Sequence, residues 1–488
     1  MSTTAIPPVT AAPAEAPPAR RRVMGLLDVT LFMVSAMLVI DQLTATASIG
    51  TGAVGWWIAV IVVFLIPTAF ITAELATTYP EQGGIYVWVR RAYGRHWAAR
   101  TTYWYYVNVA LWMPSVFLLL SGIFAQLFVH RWVDWGSGKW PQAAIAIGLV
   151  WLVVLIGVQR LDIGKWVNNL GALLKVLIIG ALGIGAVVFA VRHGSANHFT
   201  VSSMLPKLDS TTKAFLPVLI YQLLGFELIS SMAGEVKRPE KDIPRAIATS
   251  GFTLAFLYIL GTVGILLALS LNDLGLVTGL KDTFDKIFGT DSVLVYALGI
   301  AAIYTYFTNM TTWSMGANRS AVEAAHAGEL PALLGRENAV HRTPAMAFTV
   351  MGVVATVVLL FAAAFIKTQD SLYYALFAAS SVIFLLPYLL LFTAFLRLRQ
   401  IDGDRPRPYR APGGAVGAWL WTSIATLAIF ASTVLFLWPE IPNAPEDWSY
   451  TGPLLAIVGV TLVVGEVLVG RCMVRLRRAD ADAAGDDA

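Results

Sequence analysis

The sequence predicts an all-α integral membrane protein of twelve transmembrane helices. Three observations carry that expectation. Hydrophobic residues make up 57% of the 488 positions and Asp, Glu, Lys and Arg only 13%, about half of the roughly 25% charged residues in an ordinary soluble domain. Mean hydropathy is +0.69. The apolar residues also gather in twelve stretches, each near or above the roughly 20 residues that a helix needs to cross the hydrocarbon core. A soluble chain of this length could not cover its surface with so few charges, which excludes a soluble enzyme, a secreted scaffold and a disordered polymer. One cysteine, Cys472, excludes an intramolecular disulfide framework and a multi-cysteine metal site. The six histidines lie mostly in loops with no pair at helical ligand spacing, so no metal or cofactor is expected. The net charge of +4 is explained by membrane sidedness and not by a nucleic-acid partner.

Taken in order, residues 1–23 read as a disordered cytosolic tail: Ala-, Pro- and Thr-rich, ending in Arg20-Arg21-Arg22, without the apolar run of a signal peptide. The first span, 26–50, opens on Asp28, a cap for the helix N-terminus. The second covers 53–79. Residues 85–94 alternate aromatic, aliphatic and basic side chains, as a short interfacial helix with snorkelling arginines would. The third span, 97–129, carries Pro114 as a bend. The remaining spans cover 141–158, 166–191, 213–234, 244–271, 291–322, 345–366, 371–396, 415–438 and 452–473, before a cytosolic tail at 475–488.

Lysine and arginine give the orientation. Of 34 in all, 25 fall in the tails, the even-to-odd loops and their adjoining turns, 8 on the other side, and Lys175 lies within a span. Both termini are therefore expected in the cytosol and the chain in the plasma (inner) membrane. The last outer loop, with Glu440, Glu446 and Asp447 and no basic residue, agrees. So do Trp56, Trp57, Trp132, Trp135, Trp140, Trp438 and Trp448, which cluster at expected outer ends as interfacial anchors.

Ionisable groups are costly in hydrocarbon, so each one mid-span is a functional candidate. Glu466, near the end of span twelve, reads equally as a snorkelling or a packed group. Asp41 and Glu227 fall near mid-span. Around Asp41, hydrophobicity lapses between 41 and 52, where Thr44, Thr46, Ser48, Gly50 and Gly52 argue against a continuous apolar helix. Span six lapses similarly from Tyr221 through Gly225, Phe226 and Glu227 to Ser230-Ser231. Interrupted helices at matching positions of two halves point to a midplane site whose freed backbone groups hold a small ligand; the plainer reading of Gly225 is close helix packing. Lys175, about two turns into span five, is too deep to reach the near interface easily, and a desolvated ammonium exchanges its proton readily. On span three, Asn108, Trp112 and Ser115 share one helical face, and on span eight Asn309 and Trp313 lie four apart. Either set reads equally as interhelical hydrogen bonding or as pocket lining. Glu74, near the inner end of span two, is placed to pair with Arg90, Arg91 or Arg245 in an inner gate or a fixed ion pair.

Three segments carry a family likeness: Thr72 to Gly84 at the end of span two; Gly225-Phe226-Glu227 with the loop 233–247; and span eight from Trp313 through Asn318-Arg319 to Gly328-Glu329-Leu330-Pro331. Over roughly 24–400 the chain resembles the amino acid–polyamine–organocation superfamily of secondary transporters. The resemblance implies two inverted five-helix repeats, 24–192 and 193–400, a leucine-transporter-like fold with two further helices in 401–474. It implies alternating access around a site between spans one, three, six, eight and ten. It further implies that Tyr221 and Trp313 are gating aromatics over the substrate, and that Glu227 and Lys175 couple transport to protons, with Lys175 in the place that a sodium ion takes in sodium-coupled relatives.

One departure matters. Where most members carry a glycine-rich motif in the first-span break, this chain has Leu38-Val39-Ile40-Asp41-Gln42, which is more like the glutamate–GABA antiporter and plant polyamine branches. Asp41 repels a carboxylate and attracts an amine. The expected substrate-binding set is Ile40, Asp41, Gln42, Thr44, Asn108, Trp112, Tyr221, Gly225, Phe226, Asn309 and Trp313. The expected function is a proton-coupled permease for an amino acid or related amine, with no other cofactor. An exchanger of amino acids, amines or polyamines is the nearest alternative, and a non-transporting receptor of the same fold a remoter one. No catalytic triad, metal cluster or nucleotide loop supports an enzyme. Nothing in the sequence fixes an oligomeric state.

Overall fold

In the computed structural model the chain is described for residues 24–81, 83–129, 138–159, 165–229, 236–341, 343–438 and 448–486, with the main chain alone for 165–169 and 483–486. The basic tail at 20–22, Trp132, Trp135, Ser230-Ser231, much of the loop after span six, and the acidic loop with Glu440, Glu446 and Asp447 lie outside the described residues.

Among the described residues, twelve helices are long and apolar enough to cross a membrane: Leu26–Ala47, Gly50–Thr78, Arg95–Val129, Lys139–Val158, Leu170–His193, Ser210–Ile229, Pro239–Ala268, Val293–His326, Ala345–Phe365, Gln369–Ile401, Gly414–Leu437 and Trp448–Asp482. Their number and order match the sequence expectation. Several begin on a side-chain cap that satisfies amides the helix cannot. Asp209 accepts from Thr212 N–H at 2.8 Å, Ser292 from Val295 N–H at 3.3 Å and Thr368 from Ser371 N–H at 3.2 Å. Asp28 accepts from Gly25 N–H at 2.9 Å, the capping role expected of it. A further helix, Ile85–Tyr93, joins spans two and three where an interfacial helix was expected. An amphipathic helix between spans seven and eight, Gly279–Phe288, had no counterpart in the sequence reading.

Spans three and ten are buried along nearly their whole length, whereas five and eleven turn most of their surface outward. Span ten packs on span three, which packs in turn on span eight; span one lies against span seven, and seven against five. The centre of the bundle is thus where spans one, three, six, eight and ten approach.

Spans one and six are both interrupted. Span one is helical over Leu26–Met37, extended at Leu38 and Val39, then resumes as a 3₁₀ turn, Ile40–Gln42, and a short helix, Leu43–Ala47. The break therefore precedes Asp41 and does not occupy 41–52 as expected. Thr46 and Ser48 donate to the carbonyls of Gln42 and Thr44, each at 3.0 Å, and the Thr46 hydroxyl also reaches Gln222 Oε1 of span six at 3.2 Å. Their polarity is absorbed by the backbone one turn back and, for Thr46, by the neighbouring span. Span six is helical over Ser210–Gln222, unwinds through Leu223 to Gly225, and resumes as a 3₁₀ turn over 226–229. Gly225 sits at φ +117°, and a Cβ there would lie 2.9 Å from Met37 Cγ, so glycine serves both the dihedral and the approach of the two breaks.

Two further expectations change. Trp57 is no interfacial anchor: it is fully buried, stacked on Tyr258 and bonded to Thr262. Trp140, Trp438 and Trp448 are more than half exposed, as anchors should be. Glu466 resolves into a bidentate pair with Arg100 of span three at 2.6 and 2.7 Å.

Candidate functional site

The two breaks deliver two carboxylates into the bundle. Asp41 follows the first break and is 3% exposed; Glu227 follows the second and is likewise 3% exposed. Ile40 and Gln42, also buried, flank Asp41 in the same 3₁₀ turn. The Asp41 carboxylate accepts a hydrogen bond from Gln42 Nε2 at 3.3 Å, and its main-chain carbonyl accepts from the Tyr373 hydroxyl at 3.0 Å. The Trp112 indole lies beside this carboxylate, short of hydrogen-bond geometry. At the second break the Tyr388 hydroxyl donates to Glu227 at 2.7 Å and accepts from Gly225 N–H at 2.9 Å. Tyr105 stands 3.5 Å from the other Glu227 oxygen, at the limit of a hydrogen bond.

Four aromatic side chains from four spans close a ring between these acids. Trp112 meets Tyr221 edge to face at 6.3 Å and Trp313 at 5.8 Å. Phe384 completes the circuit, 5.7 Å from Tyr221 and 6.0 Å from Trp313. Most of these contacts are edge-to-face, the arrangement that ring quadrupoles favour. Asp41 adjoins the ring at Trp112. Tyr105 and Tyr388, which hold Glu227, pack on Phe384 at 5.4 Å each. Several polar atoms at this centre are buried without a partner: Gln42 Oε1, Asn108 Oδ1, Trp112 Nε1 and Gln222 Nε2. Buried groups of this kind are normally satisfied, so the centre is chemically equipped for a polar guest.

Lys175 takes a place beside this centre. It is 4% exposed, and its ammonium donates to the Ser35 carbonyl of span one and to Asn309 Oδ1 of span eight, both at 3.0 Å. Burial and these two bonds exclude the snorkelling alternative.

The structure thus brings Ile40, Asp41, Gln42, Trp112, Tyr221, Gly225, Glu227 and Trp313 together, with Asn108 on the same face of span three between Tyr105 and Trp112. It separates others. Thr44 donates to the Leu276 carbonyl at 2.8 Å, in the connection between spans seven and eight. Phe226 packs against Gly251 of span seven. Asn309 serves Lys175. Glu74 is fully buried but does not meet Arg90, Arg91 or Arg245. It pairs instead with Arg399 through two guanidinium nitrogens, Nε and Nη2, with Arg407 at 3.2 Å, and with Ala411 N–H at 2.7 Å. The expected partners lie elsewhere: Arg91 on Glu81 at 2.6 Å, and Arg90 against Tyr86. Sequence reasoning missed Tyr105, Phe384 and Tyr388. A signal existed for span ten, where Phe377, Phe384 and Tyr388 recur at helical spacing, but it cannot be told from core packing in an apolar span.

Comparison with known proteins now adds to the geometry. Residues 24–463 match the amino acid permease family. A probable agmatine/putrescine antiporter of Lactococcus lactis is 32% identical over 451 residues, covering 92% of this chain and 94% of its own length. A probable polyamine transporter of Arabidopsis thaliana is 26% identical over 384 residues, 76% of this chain and 70% of that one. The glutamate/gamma-aminobutyrate antiporter of Lactococcus lactis is 22% identical over 425 residues, 82% and 81%. With twelve apolar helices, interrupted first and sixth spans and this match over nearly its whole length, the chain belongs to the amino acid permease family of the amino acid–polyamine–organocation superfamily: a multi-pass membrane transporter, not an enzyme.

Proposed function

We propose that the substrate is an organic amine with two cationic ends, carried by alternating access between two inverted five-helix repeats. The observation that carries this reading is the closed aromatic ring flanked by Asp41 and Glu227. A buried carboxylate is stabilised by a cation, and aromatic faces attract one by their quadrupole; an acid on either side of the ring therefore suits a molecule charged at both ends. The free carboxylate of an ordinary amino acid would meet two like charges. Two relatives are named for agmatine, putrescine or polyamines, which supports the same class. Lys175, bonded to spans one and eight, is the group we assign to proton coupling, since loss of its proton weakens both ties. The chain sits in the plasma membrane with both termini in the cytosol, on the lysine and arginine bias. A second reading, exchange of one amine for another, draws on two relatives named as antiporters.

Purified protein titrated with 1,4-diaminobutane, agmatine, lysine and alanine should melt at a higher temperature with the first two, because a ligand of the folded state stabilises it. Alanine alone raising the melting temperature would overturn the reading. In proteoliposomes, a proton-coupled carrier fills empty vesicles under a pH gradient, whereas an obligate exchanger needs amine preloaded inside. Under the first reading, Lys175→Ala abolishes the response to the gradient.

A further inference from the structure

A break in a membrane helix strands main-chain amides and carbonyls where no water can meet them. At the first break Leu38 and Val39 are extended, with ψ of 102° and 103°. One side chain serves the groups on both sides. The hydroxyl of Tyr258, on span seven, donates to the Met37 carbonyl at 2.7 Å and accepts from Val39 N–H at 2.9 Å. Its ring is fully buried and lies flat on Trp57 of span two, centroids 5.3 Å apart and planes 7° from parallel. Trp57 in turn donates to Thr262 Oγ1, one turn along span seven, at 3.3 Å. Packing between spans two and seven therefore aims the hydroxyl, independently of span one. The second break has a comparable pin, Tyr388, between Gly225 N–H and Glu227.

We propose that Tyr258 is a positioning residue for amine binding. By fixing Met37 and Val39 it sets where Asp41, two residues further, presents its carboxylate. The inference rests on the reading of Asp41 as the partner of an amine. Tyr258 acts through the backbone of span one, so its effect should run through Asp41 alone.

Tyr258→Phe keeps the stacked ring and removes only the hydroxyl. In the full-length purified protein the Kd for 1,4-diaminobutane should rise about tenfold, about 1.4 kcal/mol, while the maximum uptake rate in proteoliposomes stays within about twofold. In an Asp41→Asn background the same change should add nothing, the non-additivity of residues that act together. A residue that merely supports the fold would lower the melting temperature and the amount of active protein without moving Kd. An unchanged Kd in Tyr258→Phe, with Asp41→Asn impaired, overturns the inference and leaves the Asp41 reading standing. Asp41→Asn binding as tightly as wild type removes that reading, and the inference with it. Should Tyr258→Phe fail to fold, hydrogen exchange on the wild-type protein decides: a Val39 amide that exchanges as fast as an unprotected one overturns the pin, and a protected one supports it.

Discussion

Asp41 and Glu227 are each held by neutral donors. Gln42 donates to the Asp41 carboxylate and Tyr388 to that of Glu227, and the buried Lys175 ammonium adds a charge attraction to Asp41. Contrast Glu74, which is equally buried and is met by two arginines. A buried acid is costly in a low dielectric and is stabilised by a cation that reaches it, so both central acids gain from an incoming amine. Neutralising either should weaken a diamine by about ten- to a hundredfold, the range of about 1.4–2.8 kcal/mol for one lost charged contact. Monoamines separate the two sites. Butylamine can engage only one acid at a time, so its affinity should fall with Asp41→Asn or with Glu227→Gln, but not equally with both. Equal affinities of 1,4-diaminobutane and butylamine for the wild-type protein, measured by titration, would remove the two-acid arrangement.

At the scale of elements, most of the fold was legible in the sequence and the pocket only in part. Most span ends lie within a few residues of where hydrophobicity placed them, for instance Ala345–Phe365 against 345–366, because burial in lipid selects residues along a whole helix; span twelve, Trp448–Asp482 against 452–473, runs on into charged sequence that hydrophobicity cannot mark. Breaks are set by a few atoms. The second was legible because Gly225 marks a left-handed position. The first was misplaced because Leu38 and Val39 are apolar and carry no sign of extension, whereas Thr44, Thr46 and Ser48 look disruptive yet bond within or beside the helix. Tyr258 and Tyr388 were invisible for a similar reason: a tyrosine in an apolar span gives no hint that its hydroxyl serves a neighbour's backbone. The role of Gly225 is open to test. Alanine there must hold φ near +117° with its Cβ 2.9 Å from Met37 Cγ, costing about 1–3 kcal/mol of backbone strain. Gly180 in span five, with open space around the Cβ position, is the control, where alanine should be neutral or up to about 1 kcal/mol stabilising. A Gly225→Ala protein as stable as Gly180→Ala on thermal unfolding would contradict the assigned strain.

Over the whole molecule, the face where spans two, eight and ten end is held together by charge. Glu329, fully buried, joins the end of span eight to the helix Ile85–Tyr93 and to span three through Tyr86 at 2.8 Å and Arg95 at 3.2 Å. Arg100 and Glu466 tie span three to span twelve. The strongest knot is around Glu74, where span two, the end of span ten and the connection to span eleven meet. Arg399 and Arg407 bind the carboxylate while Arg405 and Arg91 lie over Tyr79, at 4.6 and 5.4 Å from its ring centre. This geometry makes Glu74 a strut between span two and the connection after span ten. Its replacement should reveal the difference between a buried and an exposed pair. Glu74→Gln keeps the shape but leaves Arg407, with a side chain only 5% exposed, and Arg399 without their counter-charge. Breaking a buried pair from one side costs about 3–5 kcal/mol. Glu466, with half of its side chain exposed, should cost about 0–1 kcal/mol when changed to Gln. Removing Arg407 together with Glu74 should recover part of the loss, because one stranded charge goes with its partner. The measurement is thermal unfolding of the four purified proteins, wild type, Glu74→Gln, Glu466→Gln and Glu74→Gln/Arg407→Gln, in one detergent. If Glu74→Gln melts no lower than Glu466→Gln, the knot carries no more stability than a surface pair, and span two is held by its apolar packing on spans seven and eleven instead.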